Sequence, residues 1–587
     1  RRGANMGILR VDHPDIQEFI ACKNDPQEIT NFNISVAITD KFMEAVKAES
    51  NFELVDPRSG RPFQREGEVV SIEARVLFDD IVDYAWKNGE PGMIFIDRIN
   101  QLNPTSPSET IEATNPCGEQ PLPPYGSCNL GSINLSCFVD DPLPDEFTPS
   151  QPESAVDWGK LRAVIRTAVH FLDNVIDQNV YPLSEIEKQS QLNRRIGLGV
   201  MGWADMLVQL GLPYNREESF RLAEQLMSFI HEEATVCSSE LARTRGRFPN
   251  WEGSIYADQQ VAMRNATVTT VAPTGTISII AGCSSGIEPY FAIAYQRNVL
   301  DGTRMTEVNP YFAGAAKRGG FFSEKLIRKL LKHRSLSEID DIPQELRAIF
   351  LTSADILPGE HVQMQAAFQK HCDSSVSKTI NLAHSDGREK VAEAFMAAYD
   401  SGCKGITIYR DGSRPNQVLS TKPAEAAPAA DRPVPTETSG KMAERPPVLP
   451  GFTEKIRTGY GNMYVTVTVR DGQPFEVFAQ IGKSGYSTMA DTEAISRLIS
   501  LLLRSGVDVR SVIRQLRGIG GSSPVFSEGG KVSSIPDAIA LVLEKHFGDS
   551  TDKSEISEDS EICPDCSSPM NIYGNCFVCR HCGYSTC

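Results

Sequence analysis

Across residues 1–415 the sequence alternates helical periodicities with short apolar runs bounded by Gly and Pro, and this alternation limits the fold more than any other feature. Glu73 to Asn88, Trp158 to Asn179 and Ser219 to Arg245 carry apolar residues at helical spacing. Gly92 to Ile96, Val268 to Ala272 and Gly405 to Tyr409 read as short buried strands. Helices alternating with buried strands imply an α/β domain whose sheet or barrel contains parallel strands.

The alternation stops in a Pro/Ala-rich linker, 416–450, which has few large apolar side chains to bury. Residues 451–548 then form a small α+β domain. Strands over Met463 to Arg470 and Phe475 to Ile481 flank the Asp471-Gly472 turn signal, and helices are expected at Ala494 to Ser505, Val509 to Leu516 and Ile535 to Phe547. An acidic, Ser-rich arm, 549–562, leads to a cysteine-rich tail, 563–587.

A chain of 587 residues exceeds one ordinary domain. Its net charge of −18 opposes a sequence-independent grip on nucleic acid. No apolar run reaches the roughly 18 residues of a membrane span. The first residues, Arg1 to Gly7, include neither an initiator Met nor a signal-peptide core, so the chain reads as a piece of something longer. Of 14 cysteines, six crowd into Cys563 to Cys587. A secreted disulfide scaffold would spread them, so a cytoplasmic protein with a metal site and working thiols is expected.

The tail holds Cys563-x2-Cys566 and Cys576-x2-Cys579, two knuckles that set four thiolates at tetrahedral spacing for zinc. Cys579-x2-Cys582 is also a knuckle, and His581 is a further candidate ligand. The first choice leaves Cys582 and Cys587 as a terminal dithiol suited to thiol–disulfide exchange.

The densest chemistry lies at Asn115-Pro116-Cys117-Gly118-Glu119, where Pro116 fixes the backbone and Gly118 lets it turn. An amide, a thiol and an acid on one rigid loop, with Cys128 shortly after, suggest redox or thiol-radical chemistry more than hydrolysis. Pro273-Thr274-Gly275-Thr276-Ile277-Ser278 sets three hydroxyls around a glycine, which suits either a helix N-cap turn or a phosphate cradle. Gly197-x-Gly199-x2-Gly202 matches a dinucleotide fingerprint. The polar stretch before it, Gln189 to Arg195, is no buried strand, so a closely packed glycine-rich helix is expected instead. Cys22, Cys137, Cys237, Cys283, Cys372 and Cys403 read as buried small hydrophobes.

Asn115 to Glu119 followed by Ser127-Cys128-Asn129-Leu130-Gly131 resembles the active site of ribonucleotide reductases, in the wording of the adenosylcobalamin-dependent class II. Arg1 to Gly7, Val11 to Ile16, Phe171 to Asp177, Pro273 to Ser278 and Gly405 to Gly412 carry the resemblance along nearly the whole chain. It implies a ten-stranded α/β barrel with Cys117 on a central finger loop, followed by the small domain and a zinc ribbon.

The resemblance also implies roles. Cys117 would become a thiyl radical and abstract the ribose 3′ hydrogen, Glu119 would take the 3′-hydroxyl proton, and Asn115 would hold the ribose hydroxyls. Cys128 and a partner cysteine would supply two electrons, and Cys582/Cys587 would recharge them from a thioredoxin-like reductant. Pro273 to Ser278 would hold the substrate's phosphates, the diphosphate being the expected substrate. Arg1, Arg2, Gly3, Ala4 and Asn5 resemble the end of the loop that links dNTP or ATP effectors to substrate. The family's partner for Cys128 lies upstream of Arg1, so this chain is expected to lack it and not to turn over alone. A homodimer stays open. The alternatives are the large subunit of a metal-radical reductase and a zinc-ribbon interaction protein.

The tail spacing predicts one zinc per chain, measured by elemental mass spectrometry. Cys566→Ser should lose the metal, and Cys582→Ser should retain it.

Overall fold

The computed structural model describes residues 4–24, 29, 31–106, 108–139, 152–298, 304–413, 443–481, 487–520, 524–527, 530–548, 571–573, 576–578 and 585–586. The chain divides into two compact units, 1–426 and 427–587.

In the first unit, β1 (Asn5–Arg10) pairs in parallel with β2 (Phe32–Ile38). Helix α1 (Ala74–Asn88) leads into the fully buried β3 (Gly92–Phe95). Leu77, Phe78, Ile81, Val82 and Ala85 share one buried face of α1, as helical spacing requires. The helix stops where Gly89 takes φ +81°, a left-handed conformation that a Cβ disfavours.

A two-residue-deep hairpin, β4 (Ala113–Thr114) and β5 (Pro121–Leu122), comes next, followed by β6 (Asn129–Asn134). Then follow α2 (Trp158–Gln178), α3 (Ser184–Asn193), β7 (Ile196–Met201), α4 (Trp203–Gln209) and α5 (Glu217–Arg245). Further along the chain lie α6 (Ile277–Ala281), α7 (Pro358–Gln369), β8 (Thr379–Leu382), α8 (Arg388–Asp400) and β9 (Gly405–Arg410).

Five strands form one mixed sheet in the order β1-β2-β3-β9-β8, in which only the β3–β9 pair is antiparallel. Val36, Ile38, Phe78, Ile81, Phe95 and Phe395 belong to its core. A second parallel ladder begins with β6 and β7, registered Asn129 to Ile196. Single bridges extend it from Leu198 to Thr269 and from Val271 to Val376. The Val268 to Ala272 run is therefore extended backbone with isolated bridges, not a regular strand. Leu172, Trp203, Leu226 and Phe368 pack over this ladder's core. The fold is mixed α/β.

One expectation is corrected. Gly197 to Gly202 is not a glycine-rich helix: residues 196–201 are the buried strand β7, Gly202 turns at φ +74°, and α4 follows. A run of six apolar and glycine residues does not distinguish strand from helix by periodicity, and the polar α3 before it hid the strand. The glycines serve packing. A Cβ at Gly199 would overlap the carbonyl oxygen of Thr270, and one at Gly197 would lie 2.7 Å from Gln120 Nε2, which leaves no room there for a pyrophosphate.

In the second unit, β10 (Gly451–Thr458), β11 (Gly461–Arg470) and β12 (Gln473–Ile481) form an antiparallel meander. Asp471 and Gly472, at φ +52° and +77°, make the turn between the last two. Met463, Val465 and Val467 alternate inward to meet Ile499 of α9 (Ser487–Arg504), Val512 of α10 (Val509–Leu516) and Ile539 of α11 (Ile535–Phe547). Short strands 571–573, 576–578 and 585–586 form a three-stranded antiparallel sheet.

Gly199→Ala should destabilise the first unit by about 1–3 kcal/mol, because backbone must move to admit the methyl group. Urea unfolding of the variant against the parent measures it.

Candidate active site

The hairpin β4–β5 pairs Ala113 with Leu122 and Thr114 with Pro121, leaving residues 115–120 as a tight tip. Asn115 closes the tip on itself. Its amide donates to Gln120 O at 3.2 Å, its side-chain oxygen accepts from Gln120 N at 3.0 Å, and its carbonyl accepts from Gly118 N at 3.0 Å. Gly118 at φ +79° takes the turn.

The tip is strung between the two sheets. Asn33 Nδ2 on β2 donates to Pro116 O at 3.2 Å. On the other side, Ser375 N donates to Glu119 O at 2.9 Å, and Thr270 Oγ1 lies 2.8 Å from the same oxygen. A finger held at both flanks presents its side chains in fixed directions.

Pro116, Cys117 and Gly118 line a cavity of about 300 Å³ together with Ser35, Met93, Gln365, Lys378, Thr407 and Tyr409. Cys117 is exposed, whereas Glu119 is 2% exposed with its Oε2 buried and unpartnered. Burial pushes the Glu119 carboxyl above its usual range, against the opposing hydrogen bond of Asn115. The walls around Cys117 push its thiol up as well, and the Glu119 charge adds to this. A thiol kept protonated retains the hydrogen that a radical reaction removes, and an acid with raised affinity for protons suits a general base near neutral pH.

Cys128 stands one residue before β6, level with Arg195 before β7 across the parallel register. Its Sγ lies 3.5 Å from Asn129 O. Burial pushes its pKa up to about 12, with Arg195 pulling down and Glu119 pushing up, so the finger and Cys128 share one electrostatic neighbourhood. Arg195 itself is held by Asn103 Oδ1 at 3.0 Å, Thr105 Oγ1 at 2.6 Å and Glu109.

The loop Pro273 to Ser278 starts three residues after Thr270 and is not part of the cavity lining. Thr274, at φ +54°, accepts at Oγ1 from Gly286 N at 2.8 Å, and Ser278 Oγ lies 2.9 Å from Ser285 Oγ. Gly275, Thr276 and Ile277 are exposed at the start of α6. Ala4 and Asn5 are exposed at the entry to β1, while Arg1, Arg2 and Gly3 lie outside the described residues. So do Cys563, Cys566, Cys579, Cys582, Cys587 and the side chain of Cys576.

Cys237, Cys372 and Cys403 are buried as expected, but Cys137 is exposed and Cys22 and Cys283 are half-buried. Cys137 sits in a single 3-10 turn after β6, too short to cover it. Among the described residues no group of three or more His, Cys, Asp or Glu side chains could hold a metal ion, and no helix is long and apolar enough to cross a membrane.

Sequence reasoning missed a buried polar cluster beside the cavity. The Lys378 side chain has no exposed surface, pairs with Glu288, lies 3.0 Å from His361 Nδ1 and donates to Thr379 O at 2.9 Å. Burial pulls the Lys378 pKa down against the pull of Glu288, and burial with the Lys378 charge holds His361 well below its usual value. A lysine opening the apolar run Thr379 to Leu382 was the available signal.

Residues 1–409 match the sequence profile described as the ribonucleotide reductase barrel domain, and 435–547 match the TSCPD domain. The vitamin B12-dependent ribonucleoside-diphosphate reductase of Thermoplasma acidophilum is 48% identical over 76% of this chain and 56% of its own length. The protein of that name from Mycobacterium tuberculosis is 44% identical over 76% of this chain and 61% of its own. The chain thus spans between 56% and 61% of these relatives. The alpha subunit of the class Id ribonucleotide reductase of Actinobacillus ureae superposes with a TM-score of 0.55 at 21% identity, covering 70% of this chain and 71% of that one, which shows a shared fold.

Two outcomes follow from the site. At pH 8, iodoacetamide followed by peptide mass spectrometry should label the exposed Cys137 well before Cys128, whose pKa of about 12 leaves little thiolate. Glu119→Gln should stabilise the chain at pH 8, because the fold penalises the Glu119 charge. The penalty is complete above the raised folded pKa and vanishes below the ordinary glutamate value of about 4.3, so the gain should fade as denaturation is repeated toward pH 4.

Proposed function

This chain belongs to the ribonucleotide reductase family through its barrel domain, and from that premise we propose that it carries the radical and reducing centre of an adenosylcobalamin-dependent enzyme. The reaction is reduction of ribonucleotides, with the diphosphate as expected substrate, to 2′-deoxyribonucleotides. The observation that carries the reading is the finger tip itself, where a protonated thiol, a buried acid and a closing amide occupy five consecutive residues held from both flanks.

Cys117 fits a cofactor that delivers its radical from the cavity side, because the thiol is exposed there. Gln365 on the cavity wall keeps a buried, unpartnered Oε1 that can accept a hydrogen bond from a bound amino or hydroxyl group. When bound, adenosylcobalamin supplies the cobalt–carbon bond whose cleavage turns the Cys117 thiol into a radical. Of the cofactor's parts, the cavity suits the adenosyl group.

Cys117 then removes the ribose 3′ hydrogen, while Glu119 accepts the 3′-hydroxyl proton and Asn115 holds the ribose hydroxyls. Glu119 suits this part because its raised proton affinity favours uptake and its burial excludes competing water. The 2′ oxygen leaves as water. Cys128 and a partner thiol give up two electrons and two protons as they form a disulfide, and Cys117 returns the hydrogen to C3′. The high pKa of Cys128 keeps it a thiol, able to give hydrogen as well as electrons.

The rest of the proposal extends outward. Pro273 to Ser278 holds the substrate phosphates, and Arg1 to Asn5 ends the loop that reports dNTP or ATP effectors. Cys582 and Cys587 pass electrons from a thioredoxin-like reductant, on a ribbon whose Cys563, Cys566, Cys576 and Cys579 hold zinc. The ten-stranded closure of the barrel, the catalytic, linker, small-domain and tail boundaries given above, and a cytoplasmic setting belong to the same reading.

The test incubates the full-length natural protein with adenosylcobalamin, a ribonucleoside diphosphate and a dithiol. Deoxynucleotide should form without any second protein. Product that appears only on adding a metal-radical subunit would replace this reading with the metal-radical class.

A further inference from the structure

Helix α7 carries a buried polar stripe of which the proposed chemistry uses only the Gln365 Oε1 atom. His361, Gln365 and Gln369 follow one another at i, i+4 and i+8, so they share a face, and all three are at most 5% exposed. Each glutamine keeps one polar side-chain atom buried without a partner, Gln365 Oε1 and Gln369 Oε1. Burying such atoms without a partner is costly, and most buried polar groups are hydrogen-bonded. Their other atoms explain why they stand there.

Those atoms reach one short segment, residues 372–378, which Gln365 also ties to β9. Gln369 Nε2 donates to Ser374 O at 3.0 Å and lies 3.4 Å from Cys372 O. Gln365 Nε2 donates to Gly405 O at 2.8 Å and lies 3.4 Å from Val376 O. His361 Nδ1 faces Lys378 Nζ. The segment between these grips contains Ser375, whose amide donates to Glu119 O.

The opposite edge of the segment is fixed equally well. Ser374 N donates to Thr269 O at 3.1 Å, Val271 N to Ser375 O at 3.2 Å and Ser377 N to Val271 O at 2.8 Å. Thr270, fully buried, places its hydroxyl between Glu119 O at 2.8 Å and Ser375 O at 3.1 Å. The finger tip therefore hangs from a segment clamped between the glutamines of α7 and the backbone of 269–271.

We propose that Gln369 and Gln365 are positioning residues that hold the Ser374–Val376 backbone at the one height that keeps Glu119 beside Cys117. The inference rests on the reading of Glu119 as the proton acceptor. A general base works only within about 2.6–3.2 Å of the proton it takes, and displacements of about 1 Å far from the chemistry can cost two orders of magnitude in rate. Releasing one clamp lets the segment, the Glu119 carbonyl and the carboxylate drift together.

The test needs no turnover. The charge that acts on Cys117 is that of Glu119, so the pH midpoint of Cys117 alkylation by iodoacetamide, followed by peptide mass spectrometry, reports their proximity. In the parent chain, Glu119→Gln should lower that midpoint. With Gln369→Met also present, the effect of Glu119→Gln should shrink to half or less. Melting temperatures are measured alongside, since a purely structural role would lower them and leave the Glu119 effect whole.

A Glu119 effect of unchanged size in the Gln369→Met background would overturn the proposal, as would no effect in the parent. If Gln369→Met does not fold, Gln369→Leu removes the donor without adding a charge and answers the same question. The underlying reading fails separately, if full-length Glu119→Gln protein still makes deoxynucleotide at the parent rate.

Discussion

The carbonyl oxygen of Glu119 is the point on which the site hangs. It receives the Ser375 amide at 2.9 Å and faces the Thr270 hydroxyl at 2.8 Å, both groups being buried. Two donors on one carbonyl fix its direction, and a hairpin only two residues deep on each side could not hold itself in place. The parallel ladder through β7, Thr269 to Val271 and Val376 exists at that spot to supply the donors. Gly197 and Gly199 are glycines because Thr270 must come that close.

From this fixed tip the chemistry follows by electrostatics. Burial raises the proton affinity of Glu119, and both burial and the Glu119 charge raise that of Cys117. Cys128, half-buried at the surface but with its thiol shielded from water, is raised to about 12 despite Arg195. Two thiols held in the protonated form beside an acid of raised proton affinity make a set suited to moving hydrogen atoms and protons, where a hydrolytic cysteine would need its thiolate. Exposure is distributed in keeping with this: the thiol opens on the cavity and the acid is shut from water.

Much of this was legible in the sequence. The rigid tip at Asn115 to Glu119 was readable because Pro116 and Gly118 confine the backbone there. Helices α1, α2 and α5 were readable because each buries one face at helical period. Strand β7 was not, because glycines blur its alternation and a polar helix precedes it. The clamps were invisible for another reason. Gln365, Gln369, Thr270 and Ser375 are ordinary polar residues, and only the folded chain makes them hydrogen-bond partners, Thr270 with groups 105 and 151 positions away and Gln365 with one 40 positions away. The buried Lys378–Glu288 pair was hidden in the same way, since each charge alone reads as surface.

The central claim is that Cys117, fixed on the finger, is the residue that starts the reaction on the ribose. Its most direct test is deoxynucleotide formation by the full-length protein carrying Cys117→Ser, with cofactor, nucleotide and dithiol in excess. The account predicts no product from this variant, with the fold and Cys128 intact. Product formed at the parent rate would contradict it.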